Sequence, residues 1–158
     1  MKLTVLLLFA LGACGMIGCA GSPTHAEPGA RTDAQPDQKV TTFLMFQGEG
    51  EDAVDFYVSL FDDAELLRKE RQGGVLRMDF TIDGQRYIAT DSPPIHDFTF
   101  TPSMSLFVAC ESDDEIERLH GQLSEGGSEL MPLADYGFSQ RFAWVVDRFG
   151  VSWQLNLN

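Results

Sequence analysis

Polar residues on alternate positions of predicted β-strands are the groups best placed to do chemistry in this chain. Ser152, Gln154 and Asn156 alternate with apolar residues at the C-terminus, and Arg77 and Asp79 do so in an earlier strand. Successive side chains of a strand point to opposite faces, so each of these strands has a polar and an apolar face. Hydroxyl, amide and charged groups that converge beside apolar walls are typical of a small-molecule pocket. For Arg77 and Asp79, a solvated face near a sheet edge is the alternative.

The residue types that most often carry covalent catalysis are scattered along the chain. Cys110 lies in a predicted buried strand, where we expect it to act as a small hydrophobic residue. It is the only cysteine outside the first 19 residues, so the folded part has no internal disulfide. His96 lies in a proline-containing segment, where it would cover a cleft or face solvent, and His120 is expected to face solvent. The sequence shows no Cys/His or Ser/His/Asp arrangement.

The charge of the chain limits the classes of partner. The net charge is -13 and the isoelectric point is about 4.4. Nucleic-acid binding needs basic groups that neutralise phosphates, and docking on anionic lipid needs a basic patch. We therefore expect no nucleic-acid partner and no charge-driven lipid binding, and we attribute the acidity to solubility.

The N-terminus has the pattern of a targeting segment. Lys2 is followed by an apolar run with small residues up to Cys19, which predicts a signal peptide over 1–19. This run resembles a bacterial lipoprotein signal, with Cys19 as the lipidated residue and Cys14 as the less favoured choice. An uncleaved membrane anchor is the alternative. The prediction is an exported domain anchored to a membrane of the cell envelope, on its periplasmic or extracellular side.

Residues 20–38 contain three prolines and few apolar residues, which is typical of a flexible tether. From 39 onward the pattern is that of a folded domain in which one order of elements occurs twice. The first copy is predicted to contain a strand, a helix and three further strands, at 40–46, 53–61, 64–71, 75–82 and 85–90. Asp83 and Gly84 between the last two strands are a strong hairpin signal.

The second copy follows a segment with three prolines, at 91–102. It is predicted to contain a strand at 104–110, a helix opened by the capping box Ser112 to Glu115, a short strand at 128–131, and a hairpin over 141–157. Equal order at nearly equal spacing predicts two copies of one unit. The fold class is therefore α+β with two βαβββ modules.

Several motifs of the domain are similar to those of a known superfamily. The relevant segments are Thr42-Phe-Leu-x-Phe46, Phe56-Tyr-Val-Ser-Leu-Phe61, Asp83-Gly-Gln85 and Asp147-Arg-Phe-Gly-Val-Ser-Trp-Gln154. Together with the paired modules they resemble the vicinal oxygen chelate superfamily of glyoxalase I, bleomycin-resistance proteins and extradiol dioxygenases. Within it they are similar to the PhnB-like group, which has often carried the label of a demethylubiquinone methyltransferase. The match covers 39–158 and implies a curved mixed sheet around a cleft, and a homodimer.

The resemblance also implies where a metal would be held. Enzymes of the superfamily bind a divalent metal with His, Glu or Gln from four strands, and the matching positions here are Thr42, Ala89, Ser105 and Gln154. Only Gln154 could act as a ligand, and a shift of two residues adds only Asp91. A catalytic divalent site normally needs about three good ligands, so we expect the usual metal site to be missing and no cofactor. The methyltransferase label is not supported either, because we find no strand followed by a glycine-rich loop that opens a helix.

If the apolar faces pack on the helices, the polar faces line the cleft. The predicted cleft residues, with Phe46 and Phe107 as apolar walls, are Thr42, Phe46, Arg77, Ser105, Phe107, Arg141 and Gln154. The leading hypothesis is binding of a small molecule without the usual metal site. The alternatives are a metal-dependent lyase or dioxygenase of the glyoxalase type with displaced ligands, and a structural or interaction module of the envelope.

Overall fold

The computed structural model of the chain describes residues 38–158. The predicted signal peptide, with Cys14 and Cys19, lies outside the described residues, and so does the predicted tether up to residue 37. Within residues 38–158 no helix has the length and apolar character that a membrane-spanning segment requires.

Two modules of the same order form the domain. The first consists of β1 (Thr42–Phe46), α1 (Gly50–Leu60), β2 (Glu65–Gln72), β3 (Val75–Ile82) and β4 (Gln85–Asp91). The second consists of β5 (Leu106–Ala109), α2 (Asp113–Ser124), β6 (Ser128–Ala134), β7 (Arg141–Val146) and β8 (Ser152–Leu157). The strand orders are β1-β4-β3-β2 and β5-β8-β7-β6. In each sheet the first strand runs parallel to the last, and the other pairs are antiparallel. The predicted α+β class with two βαβββ modules is confirmed.

Local sequence signals explain how the elements begin and turn. Asp83 and Gly84 have φ angles of 48° and 65°, the left-handed values that a two-residue hairpin between β3 and β4 requires. The Ser112 hydroxyl accepts a 3.2 Å hydrogen bond from the Glu115 backbone N–H and so caps α2. The Glu115 carboxylate in turn accepts a 2.7 Å bond from the Glu111 backbone N–H. These turns and caps fix where the strands of each sheet meet.

Each sheet has a face that packs against a helix, here called the helix face, and an opposite open face. In the first sheet Leu76, Met78, Phe80 and Ile82 are buried on the helix face, against α1. In the second sheet Ala143, Val145, Trp153 and Leu155 are buried on the helix face, against α2. The register places the residues between them on the open faces. Any site on an open face is therefore built from residues that the core does not need.

The helix faces of the two modules share one hydrophobic core. Tyr57 of α1 packs on Trp153 of β8 with ring centroids 5.3 Å apart, and Phe56 of α1 lies 5.9 Å from Phe149. Arg118 of α2 donates a 2.8 Å hydrogen bond to the Leu60 carbonyl at the end of α1. The two modules are thus joined through their helix sides.

Candidate functional site

A hydrogen-bonded row of four side chains lies on the open face of the second sheet. The Trp144 indole N–H donates to the Ser152 hydroxyl at 2.8 Å. The Ser152 and Ser105 hydroxyl oxygens are 2.8 Å apart, and the Gln154 amide nitrogen donates to Ser105 at 3.3 Å. We call Trp144, Ser152, Ser105 and Gln154 the polar row. Ser152 is buried at its centre, with an exposed fraction of 2%.

The polar row has hydrogen-bonding groups without a partner inside the row. Trp144 and Gln154 each donate one hydrogen to a serine, and the single Ser105–Ser152 bond uses one of the two hydroxyl hydrogens. One hydroxyl hydrogen therefore has no acceptor within the row. The Gln154 amide also keeps its oxygen and its second N–H for a partner outside the row. The row can donate to and accept from an uncharged polar group.

Aromatic side chains flank the polar row. Phe107 of β5 is the register partner of Gln154, and its side chain is 60% exposed. Phe142 of β7 carries Phe138 at a centroid distance of 5.2 Å, and Tyr136 lies 6.1 Å from Phe142. Polar groups between apolar walls are the usual composition of a ligand-binding surface.

The structure brings three of the predicted cleft residues together and separates the others. Ser105, Phe107 and Gln154 share the open face of the second sheet. Arg77 lies on the open face of the first sheet, which is a different surface. The prediction was that all seven residues line one cleft. Within the described chain three of them, Thr42, Phe46 and Arg141, lie instead on the helix faces.

Thr42 and Phe46 lie on the helix face of the first sheet. Their register partners on β4 are Tyr87 and Asp91, and Phe46 is 3% exposed and packs on Phe100 at 5.0 Å. Both faces of β1 are apolar, so the alternation in the sequence could not choose between them. Packing beneath α1 determines which face of β1 is buried. The prediction of Thr42 and Phe46 as cleft residues is therefore corrected.

Arg141 also lies on a helix face. It is the register partner of Leu157, and its guanidinium donates to Asp113 at 2.7 Å and to Glu117 at 2.8 Å, both on α2. The small residues that follow it on the same face, Ala143 and Val145, pack under α2, whereas the larger Phe142 and Trp144 occupy the open face. The sequence prediction assigned β7 to the opposite face, and this is the reason for the correction.

The side chains available do not fit the divalent-metal site that the superfamily implies. Thr42 and Ala89, two of the four matching positions, lie on the helix face. The open-face positions of the same strands hold Phe43, Met45, Ile88 and Thr90. Within residues 38–158 no group of three or more His, Cys, Asp or Glu side chains could hold a metal ion. Ser105 and Gln154 alone do not make the three good ligands that such a site needs.

The loop between β1 and α1 corrects another expectation. No glycine-rich loop that opens a helix was predicted after any strand, yet Gly48 and Gly50 lie between the end of β1 and the first turn of α1. The Gly48 N–H donates to the Asp91 carboxylate, and a Cβ on Gly50 would lie 2.7 Å from the Asp91 Cβ. Gly50 therefore makes room for Asp91, whereas nothing lies within 4 Å of a Cβ added at Gly48. The Asp91 carboxylate occupies the Gly48 N–H, a group that a glycine-rich loop would offer to a phosphate.

Asp79 and two arginines form a charged cluster on the open face of the first sheet. Arg77 Nε donates to Asp79 Oδ1 at 3.0 Å, and Arg86 Nη2 donates to Oδ2 at 2.8 Å. Burial acts to raise the pKa of Asp79, but the hydrogen bonds and charges of the two arginines outweigh it and lower the pKa. Arg86 was not among the residues predicted from the sequence. The Asp83-Gly84 hairpin could have revealed it, because that turn pairs Thr81 with Arg86 beside Asp79.

A groove with a volume of about 600 Å³ lies where the two modules meet. Phe61, Tyr87 and Trp153 contribute apolar lining, and the carboxylates come from Asp62, Asp63, Asp83, Glu111 and Glu115. Of the predicted cleft residues only Phe107 borders it. The groove therefore adjoins the polar row at Phe107 and contains none of the four polar-row residues.

Comparisons with known proteins agree with this architecture. The family model described as 3-demethylubiquinone-9 3-methyltransferase matches residues 38–156. None of the curated proteins matches the chain. Among solved structures, a putative 3-demethylubiquinone-9 3-methyltransferase, PhnB protein, from Bacillus cereus is 46% identical, with a TM-score of 0.73, and the match covers 77% of this chain and 100% of that one.

Two further solved structures extend the comparison. The protein PA1353 from Pseudomonas aeruginosa is 26% identical, with a TM-score of 0.62, and the match covers 75% of this chain and 96% of that one. A glyoxylase/bleomycin resistance protein/dioxygenase domain from Frankia sp. is 13% identical over 78% of this chain and 99% of that one, and its TM-score of 0.59 shows the shared fold. The chain therefore belongs to the PhnB-like family described as 3-demethylubiquinone-9 3-methyltransferase, and it has the glyoxalase/bleomycin-resistance fold.

Proposed function

We propose that this protein binds a small uncharged molecule on the open face of its second sheet. The observation that carries the proposal is the polar row, in which one hydroxyl hydrogen and part of the Gln154 amide have no partner within the row. Phe107 stands on the same face, is 60% exposed and offers an apolar contact to the body of a ligand, whereas Phe142 is buried and packs on Phe138. An amide, carbonyl or hydroxyl group attached to an apolar body matches both features.

The proposed role is binding, because the polar row carries no group that titrates near neutral pH. Indole, hydroxyl and carboxamide groups orient a ligand by hydrogen bonds and do not exchange protons readily with it. The family description names a methyltransferase. We do not extend this activity to the chain, because a fold can host many functions and because Asp91 already accepts the Gly48 N–H of the β1–α1 loop.

A ligand screen tests the proposal. Uncharged aromatic and aliphatic amides, ketones and alcohols are added to the protein, and the shift of its thermal unfolding temperature is measured. Compounds that stabilise the protein are then tested on Gln154→Leu, which removes the free amide groups, and on Gln72→Leu, an exposed glutamine at the end of β2. We expect Gln154→Leu to abolish the shift and Gln72→Leu to keep it. No stabilising compound, or equal shifts in both variants, would count against the proposal.

We also propose that the protein is exported and is anchored to the cell envelope by a lipid on Cys19, with Cys14 as the less favoured site. The support is the pattern of residues 1–19, with a positive start, an apolar run and small residues before Cys19. The mature mass, measured in a membrane extract of expressing cells, should correspond to a chain that begins at Cys19 with added acyl groups. An intact Met1 or an unmodified new N-terminus would contradict the proposal.

We propose that the protein is a homodimer. We propose no nucleic-acid partner, because the net charge of -13 would repel phosphates. The support is the resemblance to a superfamily whose members are often homodimers, together with exposed apolar residues outside the two open faces, Ile95, Phe98 and Met104. Light scattering coupled to size-exclusion chromatography should give a mass of two chains. A single-chain mass at micromolar concentration would contradict this part.

A further inference from the structure

The Asp79 cluster on the open face of the first sheet has an excess of one positive charge. Asp79 is 1% exposed and is bonded by two guanidiniums, those of Arg77 and Arg86. Beside it, Arg68 of β2 is paired with Glu70, so that pair adds no net charge. Within residues 38–158 Arg77 and Arg86 form ion pairs only with Asp79. One carboxylate therefore balances one of two guanidiniums, in a protein whose net charge is -13.

The cluster also holds unused hydrogen-bond donors in a fixed place. Arg77 uses Nε and Nη2 on Asp79, and Arg86 uses Nη2. The remaining N–H groups, on Arg77 Nη1 and on Arg86 Nε and Nη1, have no acceptor among the described residues. The two side chains are 43% and 47% exposed, so these groups are accessible from the open face. Asp79 lies on β3, beside Arg86 of β4, and holds both arginines by charge-assisted bonds.

Apolar residues continue the same row of the sheet away from the cluster. Asp79 of β3 is the register partner of Ile88 of β4, and Ile88 is the register partner of Phe43 of β1. Phe43 is 54% exposed. A molecule that contacts the arginines can therefore lie across Ile88 and Phe43. The length of this row, two strand spacings or about 10 Å, suits a chain of roughly eight carbons or an aromatic ring with a short arm.

We propose that this face binds a monocarboxylate with an apolar body. The carboxylate accepts hydrogen bonds from Arg77 and Arg86, whose guanidinium groups match its planar geometry. A monoanion balances the one excess charge, and a dianion would leave a negative charge unpaired in an acidic protein. The site is separate from the polar row, so it goes beyond the proposed function and can fail or succeed independently of it.

The test measures binding of octanoate to the full chain by isothermal titration calorimetry, with 1-octanol and inorganic phosphate as probes that carry only one of the two features. We expect saturable binding of one octanoate per chain. We expect 1-octanol and phosphate each to bind at least about tenfold more weakly than octanoate. The alcohol lacks the charge-assisted pair of hydrogen bonds, and phosphate lacks the apolar contact. No saturable octanoate binding, or equally tight binding of 1-octanol or phosphate, would overturn the proposal.

Variants locate the site. Arg77→Gln and Arg86→Gln should each weaken octanoate binding about tenfold. Arg71→Gln changes an exposed arginine that is the register partner of Leu76, outside the cluster, and should bind octanoate like the original protein. Gln154→Leu should do the same, which separates this site from the polar row. Octanoate affinity that stays within twofold in either cluster variant would overturn the proposal.

Phe43→Ala provides a test that does not depend on the ion pairs. Phe43 is exposed, so its removal leaves the core of the first module intact. We expect octanoate binding to weaken several-fold and thermal unfolding to remain unchanged, because only the contact with the apolar body is lost. Unchanged octanoate affinity in this variant would contradict the orientation of the ligand along the row.

Discussion

The phenolic oxygen of Tyr57 in α1 donates a 2.7 Å hydrogen bond to the Asp147 carboxylate in the turn before β8, 90 residues further along the chain. Both residues are buried. Asp147 also accepts bonds from the Trp153 indole at 2.8 Å and from the backbone N–H groups of Phe149 and Val151 at 2.9 and 3.0 Å. These donors satisfy the carboxylate without a cation. The bond therefore links the first module to the turn that precedes the last strand.

Replacing Tyr57 with Phe should lower the free energy of unfolding by about 1–2 kcal/mol, because Asp147 loses one donor while the ring packing remains. Urea unfolding followed by circular dichroism measures this. Tyr136→Phe is the matched control, since the Tyr136 hydroxyl donates to the Pro132 carbonyl at an exposed position. It should cost no more than about 0.5 kcal/mol. Equal losses of unfolding free energy in the two variants would show that the buried Tyr57–Asp147 bond contributes no more than an exposed one.

The same bond predicts how stability changes in base. Burial, and then the Asp147 carboxylate, raise the pKa of Tyr57 well above its ordinary value of 10.0. Above about pH 10 the unfolded chain releases this proton and the folded chain keeps it, so stability is lost as pH rises. The free energy of unfolding should fall by up to about 1.4 kcal/mol per pH unit from this group, and Tyr57→Phe should have a shallower slope between pH 9 and 11. Parallel slopes would contradict this assignment.

Asp79 predicts the opposite dependence in acid. Its pKa is lowered from an ordinary value of 3.8, since the hydrogen bonds from Arg77 and Arg86 outweigh the effect of burial. The contribution of the ionised form to stability is therefore fully present above about pH 4 and is lost as pH falls further. Asp79→Asn should flatten the acid limb of a stability–pH curve measured by urea unfolding. The control Asp97→Asn changes an exposed loop residue and should leave the limb as it is.

Gly127, just before β6, should not tolerate a side chain. A Cβ there would lie 2.2 Å from the Val146 carbonyl oxygen, which belongs to the backbone and cannot move aside. Gly127→Ala should destabilise the protein by about 2–4 kcal/mol. Gly121 within α2 is the matched control, because nothing lies within 4 Å of its added Cβ. Gly121→Ala should stabilise the protein by about 0.5–1 kcal/mol, since alanine favours the helix. Similar effects at the two glycines would contradict the steric argument.

The alternation of polar and apolar residues predicted the buried face of a strand correctly wherever one face was clearly polar. In β8 the buried Trp153 and Leu155 and the polar Ser152 and Gln154 lie on the faces that alternation predicted. The Asp83-Gly84 turn also placed β3 against β4 correctly. These local signals were enough to predict both modules and the α+β class.

Alternation failed where both faces of a strand were apolar. In β1 the residues from Phe43 to Phe46 are all apolar, and in β7 Phe142 and Trp144 alternate with Ala143 and Val145. Which set faces the helix depends on the size of the side chains beneath α1 or α2, and that information lies in another part of the chain. The predicted positions of Thr42, Phe46 and Arg141 were wrong for this reason. The polar row could be predicted only in part, because its central bond joins Ser152 to Ser105, 47 residues apart.

The strand order leaves β1 and β5 each at an edge of its sheet. An edge strand presents unpaired backbone N–H and C=O groups that can pair with another strand. β1 carries no charged residue between Thr42 and Phe46, and its exposed Phe43 adds an apolar side chain that favours association. β1 and β5 are short, with five and four residues, and this limits how far another strand can pair with either edge. Concentrated protein should therefore be most prone to ordered aggregation near its isoelectric point of about 4.4, where mutual repulsion between chains disappears.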